Sequence, residues 1–80
     1  MKLKNNIAIA ENGFIFNAAR GDSFTTNPIG IFILQGLKNN WDKARLCQEI
    51  LVKYEIDEAT CEKDLYDFLK MLKHYDLIEE

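Results

Sequence analysis

Ser23-Phe24-Thr25-Thr26-Asn27-Pro28-Ile29-Gly30-Ile31-Phe32-Ile33-Leu34 is the stretch where the chain changes its period. Its first four residues suit a pleated surface and read as a strand. Asn27-Pro28 then switches to helix. Asparagine can cap the first free N–H groups, and proline at the first helical position forfeits no bond. Ile29, Ile33 and Leu37 form one i, i+4 row with Phe32 alongside, while Ile31 and Leu34 add apolar surface on other faces. A helix this apolar is expected to be mostly buried. Lys38-Asn39-Asn40 ends it.

Upstream, Ile7-Ala8-Ile9-Ala10 puts Ile7 and Ile9 on one face of a strand, and Phe14-Ile15-Phe16 puts Phe14 and Phe16 on one face of the next. Glu11-Asn12-Gly13 lies between them. Asn-Gly is a strong hairpin signal, because both central residues of a type I′ turn need positive φ, and it predicts that turn here. The connection Asn17–Asp22 is longer and again contains glycine. Two hairpins in succession give a three-stranded antiparallel meander whose third strand spans Ser23–Thr26.

Downstream, a second helix begins near Asp42, with Leu46, Ile50 and Tyr54 spaced by four and Cys47 and Leu51 beside them. It runs for about three turns. Ile56 follows in the connector. Asp57 is the natural cap of a third helix, with Glu58 and Glu62 near the positive end of its dipole. Cys61, Leu65, Phe68, Leu69 and Leu72 form its core stripe, and Leu77 and Ile78 are expected to fold back over its end. The fold class is α+β, three strands followed by three helices in a single domain spanning residues 1–80.

Composition narrows the function. With 80 residues, 48% of them hydrophobic and 29% charged, the chain can build one thin core. A domain of this size buries only about 60% of its unfolded surface, which leaves little room for an enclosed catalytic cavity. The longest apolar stretch, Ile29–Leu34, is interrupted by Gly30 and falls short of the roughly 20 residues a bilayer crossing needs. Met1-Lys2-Leu3-Lys4-Asn5-Asn6 shows no apolar signal region, so the expected address is the cytoplasm. Cys47 and Cys61 are not in a CxxC pair and match no zinc spacing; both fall on apolar helix stripes and read as core thiols. One histidine, His74, sits in a polar stretch. Glycines 13, 21, 30 and 36 are too scattered for a phosphate loop. Asp64, Asp67 and Glu62 share one helix and read as a solvated face rather than an acid/base pair across a cleft. Neither a metal nor another cofactor is implied, and the expectation is a protein without a catalytic site.

Charge disfavours nucleic acid. The net charge is −3, and residues 41–80 hold six basic residues against eleven acidic ones. Asp57–Tyr75 carries Asp57, Glu58, Glu62, Asp64 and Asp67 against Lys63, Lys70 and Lys73, which is no basic recognition stripe.

In order, Phe14-Ile15-Phe16, the turn Arg20-Gly21-Asp22, Ser23–Gly30, then Tyr54-Glu55-Ile56-Asp57, Asp64-Leu65, Phe68-Leu69, Leu72 and Asp76-Leu77-Ile78 resemble the PqqD family over residues 7–78. Where members often have an Asp-Gly turn before the second helix, this chain has Lys38-Asn39-Asn40-Trp41. The resemblance implies a winged-helix-like fold and a recognition element for ribosomally made, post-translationally modified peptides. It also implies that the precursor's leader adds as a strand beside the third strand and lies against the third helix, for delivery to a maturation enzyme, often a radical-SAM protein.

The residues suit that task. The third strand is an edge, so the backbone of Ser23, Phe24, Thr25 and Thr26 can pair with an extended guest, Thr25 and Thr26 supplying bonds whatever its sequence. Asp64, Phe68, Met71 and Tyr75 recur at 3–4-residue spacing as a row beside the core stripe and offer the other wall. Phe68 suits the core better than a contact, Met71 and Tyr75 also suit a widened core, and the edge strand also suits protection in a homodimer. Two rivals stand: a winged-helix DNA-binding regulator, which shares the pattern of elements but wants a basic helix, and a subunit that docks on an enzyme without touching its substrate.

Overall fold

The computed structural model describes residues 1–79. Its elements, in chain order, are β1 (Lys2–Leu3), β2 (Ile7–Ile9), β3 (Phe14–Asn17), β4 (Asp22–Thr25), α1 (Pro28–Lys38), α2 (Lys43–Lys53), α3 (Glu58–His74) and β5 (Ile78–Glu79). Strands β2, β3 and β4 form the antiparallel meander, with β3 in the middle. Ile9 pairs with Ile15, and Ile15 with Phe24. That face meets the helices: Ile15 is fully buried, whereas Phe14 and Phe16 point outward at 43% and 39% exposure.

The first turn departs from expectation. Gly13 has φ +93°, but Asn12 is not in the left-handed region, so the turn is not type I′. Ala10 N–H donates to Phe14 C=O (2.8 Å) and Gly13 N–H to Ala10 C=O (3.0 Å). The loop therefore holds three residues, Glu11, Asn12 and Gly13, and only its last needs positive φ. The Asn12 side chain serves it differently, accepting from Phe14 N–H at 3.2 Å.

All three helices start where a side chain can take a free N–H. Asn27 accepts from Gly30, Asp42 from Arg45 and Asp57 from Thr60, at 2.8, 2.8 and 3.0 Å. Two of them end alike. After α1, Asn40 takes φ +66°, its N–H reaches Leu37 C=O and the Trp41 N–H reaches Gly36 C=O. After α3, Asp76 takes φ +61°, its N–H reaches Lys73 C=O and the Leu77 N–H reaches Leu72 C=O. This is the Schellman arrangement, with asparagine and aspartate standing where glycine is usual.

The second of these stops turns the chain back, as anticipated for Leu77 and Ile78, and creates a pairing that the sequence did not announce. β5 joins β1 in a two-stranded ladder, Leu3 opposite Ile78, so the first and last strands close the base of the helices. Lys4 donates to the Asp76 carboxylate across this junction. One cluster of buried side chains, including Ile15, Leu34, Leu37, Leu46, Leu65 and Leu72, joins sheet and helices. Among the described residues, no helix is long and apolar enough to cross a membrane.

Candidate functional site

β4 lies at the end of its sheet, hydrogen-bonded to β3 alone. Which of its backbone groups are free follows from the ladder. Thr26 N–H donates inward to Gly13 C=O at 2.9 Å. Residues along an antiparallel strand alternate between bonding their neighbour and facing away. Phe24 and Asp22 therefore share the inward phase of Thr26, while Ser23 and Thr25 turn N–H and C=O to the open edge. Thr26, expected to offer its donor to a guest, has spent it inside the sheet. Ser23 and Thr25 carry the free ladder.

Two recesses border that edge. The first, about 590 Å³, lies between β4 and the last turns of α3 and is lined by Ser23, Phe24, Thr25, Met71 and Tyr75, with Arg20 and Asp22 at its mouth. The second, about 340 Å³, runs toward the start of α1 and includes Asp64, Phe68 and Met71 with Gly30, Ile56 and Leu65. Met71 lines both, so they read as one groove along α3. Of the eight residues singled out from the sequence, seven line it. Thr26 lines neither recess; its side chain instead crowds Gly30, where an added Cβ would come within 2.0 Å of Thr26 Oγ1 and 3.1 Å of Phe68 Cε1. Glycine at 30 lets the N-terminus of α1 approach the groove floor.

Local contacts hold the walls in place. The Phe24 and Tyr75 rings stack at 5.7 Å. Arg20 Nε pairs with Asp22 Oδ2 at 3.1 Å, and Arg20 Nη1 donates to the Tyr75 carbonyl at 3.2 Å, satisfying an end group of α3. Phe68 and Met71 are half-buried, packed against the core while fronting the groove. Asp64 and Asp67 rim its far end, the latter in an i, i+4 pair with Lys63 at 3.7 Å. Arg20, Ile56 and Asp67 were not foreseen as lining residues. Ile56 was visible only as an apolar residue in a connector, and Arg20 only as part of a turn.

The groove's chemistry is that of a binding surface. Cys61, at its floor, has its thiol pushed up to about 12 by burial and by its hydrogen bond with Cys47, whose sulfur lies 3.2 Å away. Burial thus disfavours the thiolate, the form in which a cysteine attacks. His74 is exposed at the end of α3, edge-on to Tyr75 at 5.3 Å. The free backbone of Ser23 and Thr25 can accept and donate hydrogen bonds to an extended chain, while Phe24, Phe68, Met71 and Tyr75 can cover its apolar side chains.

The family model described as Coenzyme PQQ synthesis protein D (PqqD) matches residues 12–78. No curated protein matches the chain. Among solved structures, TbiB1 in complex with the TbiA(beta) leader peptide is 26% identical, with a TM-score of 0.90, covering 99% of this chain and 95% of its own. Lasso peptide synthetase B1 complexed with the leader peptide is 21% identical, with a TM-score of 0.84, covering 99% of this chain and 96% of its own; at that identity it speaks for the fold.

Proposed function

The chain belongs to the PqqD family, and from that premise we propose that it captures the leader of a ribosomally made precursor peptide by strand addition to β4 and presents it to a modifying enzyme. The observation that carries this reading is the open Ser23–Thr25 edge facing an apolar groove along α3. Main-chain bonds give affinity for any extended guest, and the side chains of the groove choose among guests. The TbiB1 structure, which holds a leader peptide on a chain of the same shape, supports the assignment.

The chain itself performs no covalent step in this scheme. It acts as one domain that lowers the dimensionality of the enzyme's search by holding the leader, so that the rest of the precursor is delivered at high effective concentration. The enzyme is of the kind that alters ribosomal peptides, often a radical-SAM protein in this family.

The test is a titration of fluorescently labelled leaders from neighbouring short precursor genes into the chain, read by anisotropy and by amide exchange. The expected result is saturable binding of one leader, with new protection of the Ser23 and Thr25 amides and little change at Thr26, which is already bonded. Protection appearing at the other sheet edge, Ile7 and Ile9, would move the site. Binding of duplex DNA in preference to any leader would replace the reading with the DNA-binding rival.

A further inference from the structure

Helix α3 borders a second recess on its other flank. Tyr66, Leu69, Lys70 and Lys73 recur at 3–4-residue spacing, as do Asp64, Phe68, Met71 and Tyr75, but the two rows lie about half a turn apart around the helix axis. The second row faces the leader groove. The first faces a separate recess of about 580 Å³, which α3 forms with the corner between α1 and α2 and with Met1.

This recess is built from a fixed aromatic floor and a cationic rim. Trp41 supplies much of the floor and is held from several sides. Its backbone N–H reaches Gly36 C=O at 3.0 Å, its ring meets Phe32 edge-on at 5.9 Å, and Arg45 lies 4.7 Å over its face. Tyr66 stands beside it at 57% exposure, although the core has no use for it there. Lys43, Lys70 and Lys73 rim the opening. Among the described residues, the one carboxylate in the lining, Asp42, is turned to the Arg45 N–H as the cap of α2. In a chain of net charge −3, Lys43 and Lys70 beside an apolar floor make a local inversion of sign. Such a site attracts carboxylates through the rim and retains an aromatic or aliphatic side chain on the floor.

We propose that this recess docks an acidic segment, carrying an aromatic or aliphatic anchor, of the enzyme that modifies the captured peptide. The proposal rests on the leader-carrier reading. A carrier must hold guest and enzyme at once, and the opposite placement of the two recesses on α3 lets both be filled without competition. The sign of the rim selects the chemistry of the partner.

The probe is the purified modifying enzyme encoded beside this chain, titrated against the full chain with labelled leader bound. Tyr66→Ala with Lys70→Glu removes one of the two aromatic rings of the lining and reverses one rim charge, both at exposed positions. The expected result is an enzyme affinity at least about tenfold weaker, with leader affinity unchanged within about twofold, and wild-type docking that weakens as salt rises. Should the double variant melt early, Lys43→Glu, exposed at the start of α2, gives the same readout from the other side of the rim. Enzyme docking unaffected by these changes, in a chain that still captures leader, overturns the docking surface alone. Leader affinity falling in step with enzyme affinity makes the recess an extension of the leader site and also overturns it. A wild-type chain that captures no leader removes the carrier reading and this proposal with it.

Discussion

Phe24 on β4 and Tyr75 at the end of α3 stack with ring centroids 5.7 Å apart and planes 29° from parallel. This contact ties the edge strand to the helix that faces it and closes one end of the groove. Tyr75→Ala removes the ring and keeps the backbone carbonyl that Arg20 holds. An offset aromatic pair contributes about 0.5–1.5 kcal/mol beyond its buried area. The expected outcome is a similar loss of stability in chemical denaturation and a leader affinity roughly 2–10-fold weaker by anisotropy. Loss of stability with leader affinity intact would confine Tyr75 to the fold.

Thr25 and Thr26 are neighbours of the same type whose donors point in opposite directions, so proline separates their roles. Thr25→Pro deletes an N–H on the open edge, where the sheet has no claim on it, and proline is tolerated at such positions. Folding is expected to change little, while leader binding weakens by about tenfold or less, the worth of one main-chain bond. Thr26→Pro instead deletes the donor to Gly13 C=O and should cost about 1–3 kcal/mol of stability. Equal melting temperatures for the two variants would show that the ladder parity assigned to β4 is wrong.

Met71 lines both recesses, and its thioether adapts to different apolar side chains. Met71→Asp puts a carboxylate where Asp64 and Asp67 already lie on the same helix. Leader affinity is expected to fall by more than about tenfold, because a guest would have to desolvate that charge. Unchanged affinity would take the residue out of the site.

Much of this architecture was legible because it depends on short-range chemistry. Asn27, Asp42 and Asp57 each cap a helix, as their positions before amphipathic runs imply. The groove row on α3 was legible for the same reason, since 3–4-residue spacing places side chains on one face wherever the helix goes. Other features depend on what meets across the fold. Phe14 and Phe16 visibly share a face with each other, but alternation alone cannot say that the core lies on the side of Ile15. The β1–β5 ladder joins residues 2–3 to residues 78–79, two-residue strands too short to carry a period. The direction of the Thr25 and Thr26 donors depends on the β3–β4 register, which the Asn17–Asp22 connection does not disclose: a slip of one residue there would reverse the parity. The stop of α1 at Lys38-Asn39-Asn40 was legible, but the left-handed backbone at Asn40 and Asp76 was not, because glycine, its usual marker, is absent from both.

Gly36 is a helix-interior glycine with a packing reason. A Cβ there would come within 2.6 Å of Trp41 Cε3 and 2.7 Å of Leu46 Cδ2. Alanine should gain up to about 1 kcal/mol of helix propensity. Forcing the indole and the leucine aside costs about 1–3 kcal/mol, so overpacking is expected to win. Gly36→Ala should lower the melting temperature by several degrees and shift the emission of Trp41, the single tryptophan of the chain. A more stable variant with unshifted emission would mean that Trp41 yields freely, which would also weaken the case for a rigid floor in the recess it lines.

Asp76 joins three features: it sits at φ +61°, it ends α3, and its carboxylate accepts from Lys4. The Lys4 hydrogen bond, then the Lys4 charge and more weakly that of Arg20, hold the carboxyl below the usual aspartate range. A depressed carboxyl stabilises the fold above its unfolded pKa of about 4, and that contribution is lost as pH falls through the lower folded value. Asp76→Asn isolates the charge, because asparagine also tolerates the left-handed backbone. The melting temperature of the variant should fall below wild type at pH 6–7 by a small amount, given the exposure of the pair, and the gap should narrow in high salt. Acidification below about pH 4 should close the gap, as wild-type Asp76 itself becomes neutral. A gap that persists undiminished to about pH 2 would show that aspartate serves there by shape, and that the junction between β1 and the end of α3 does not depend on its charge.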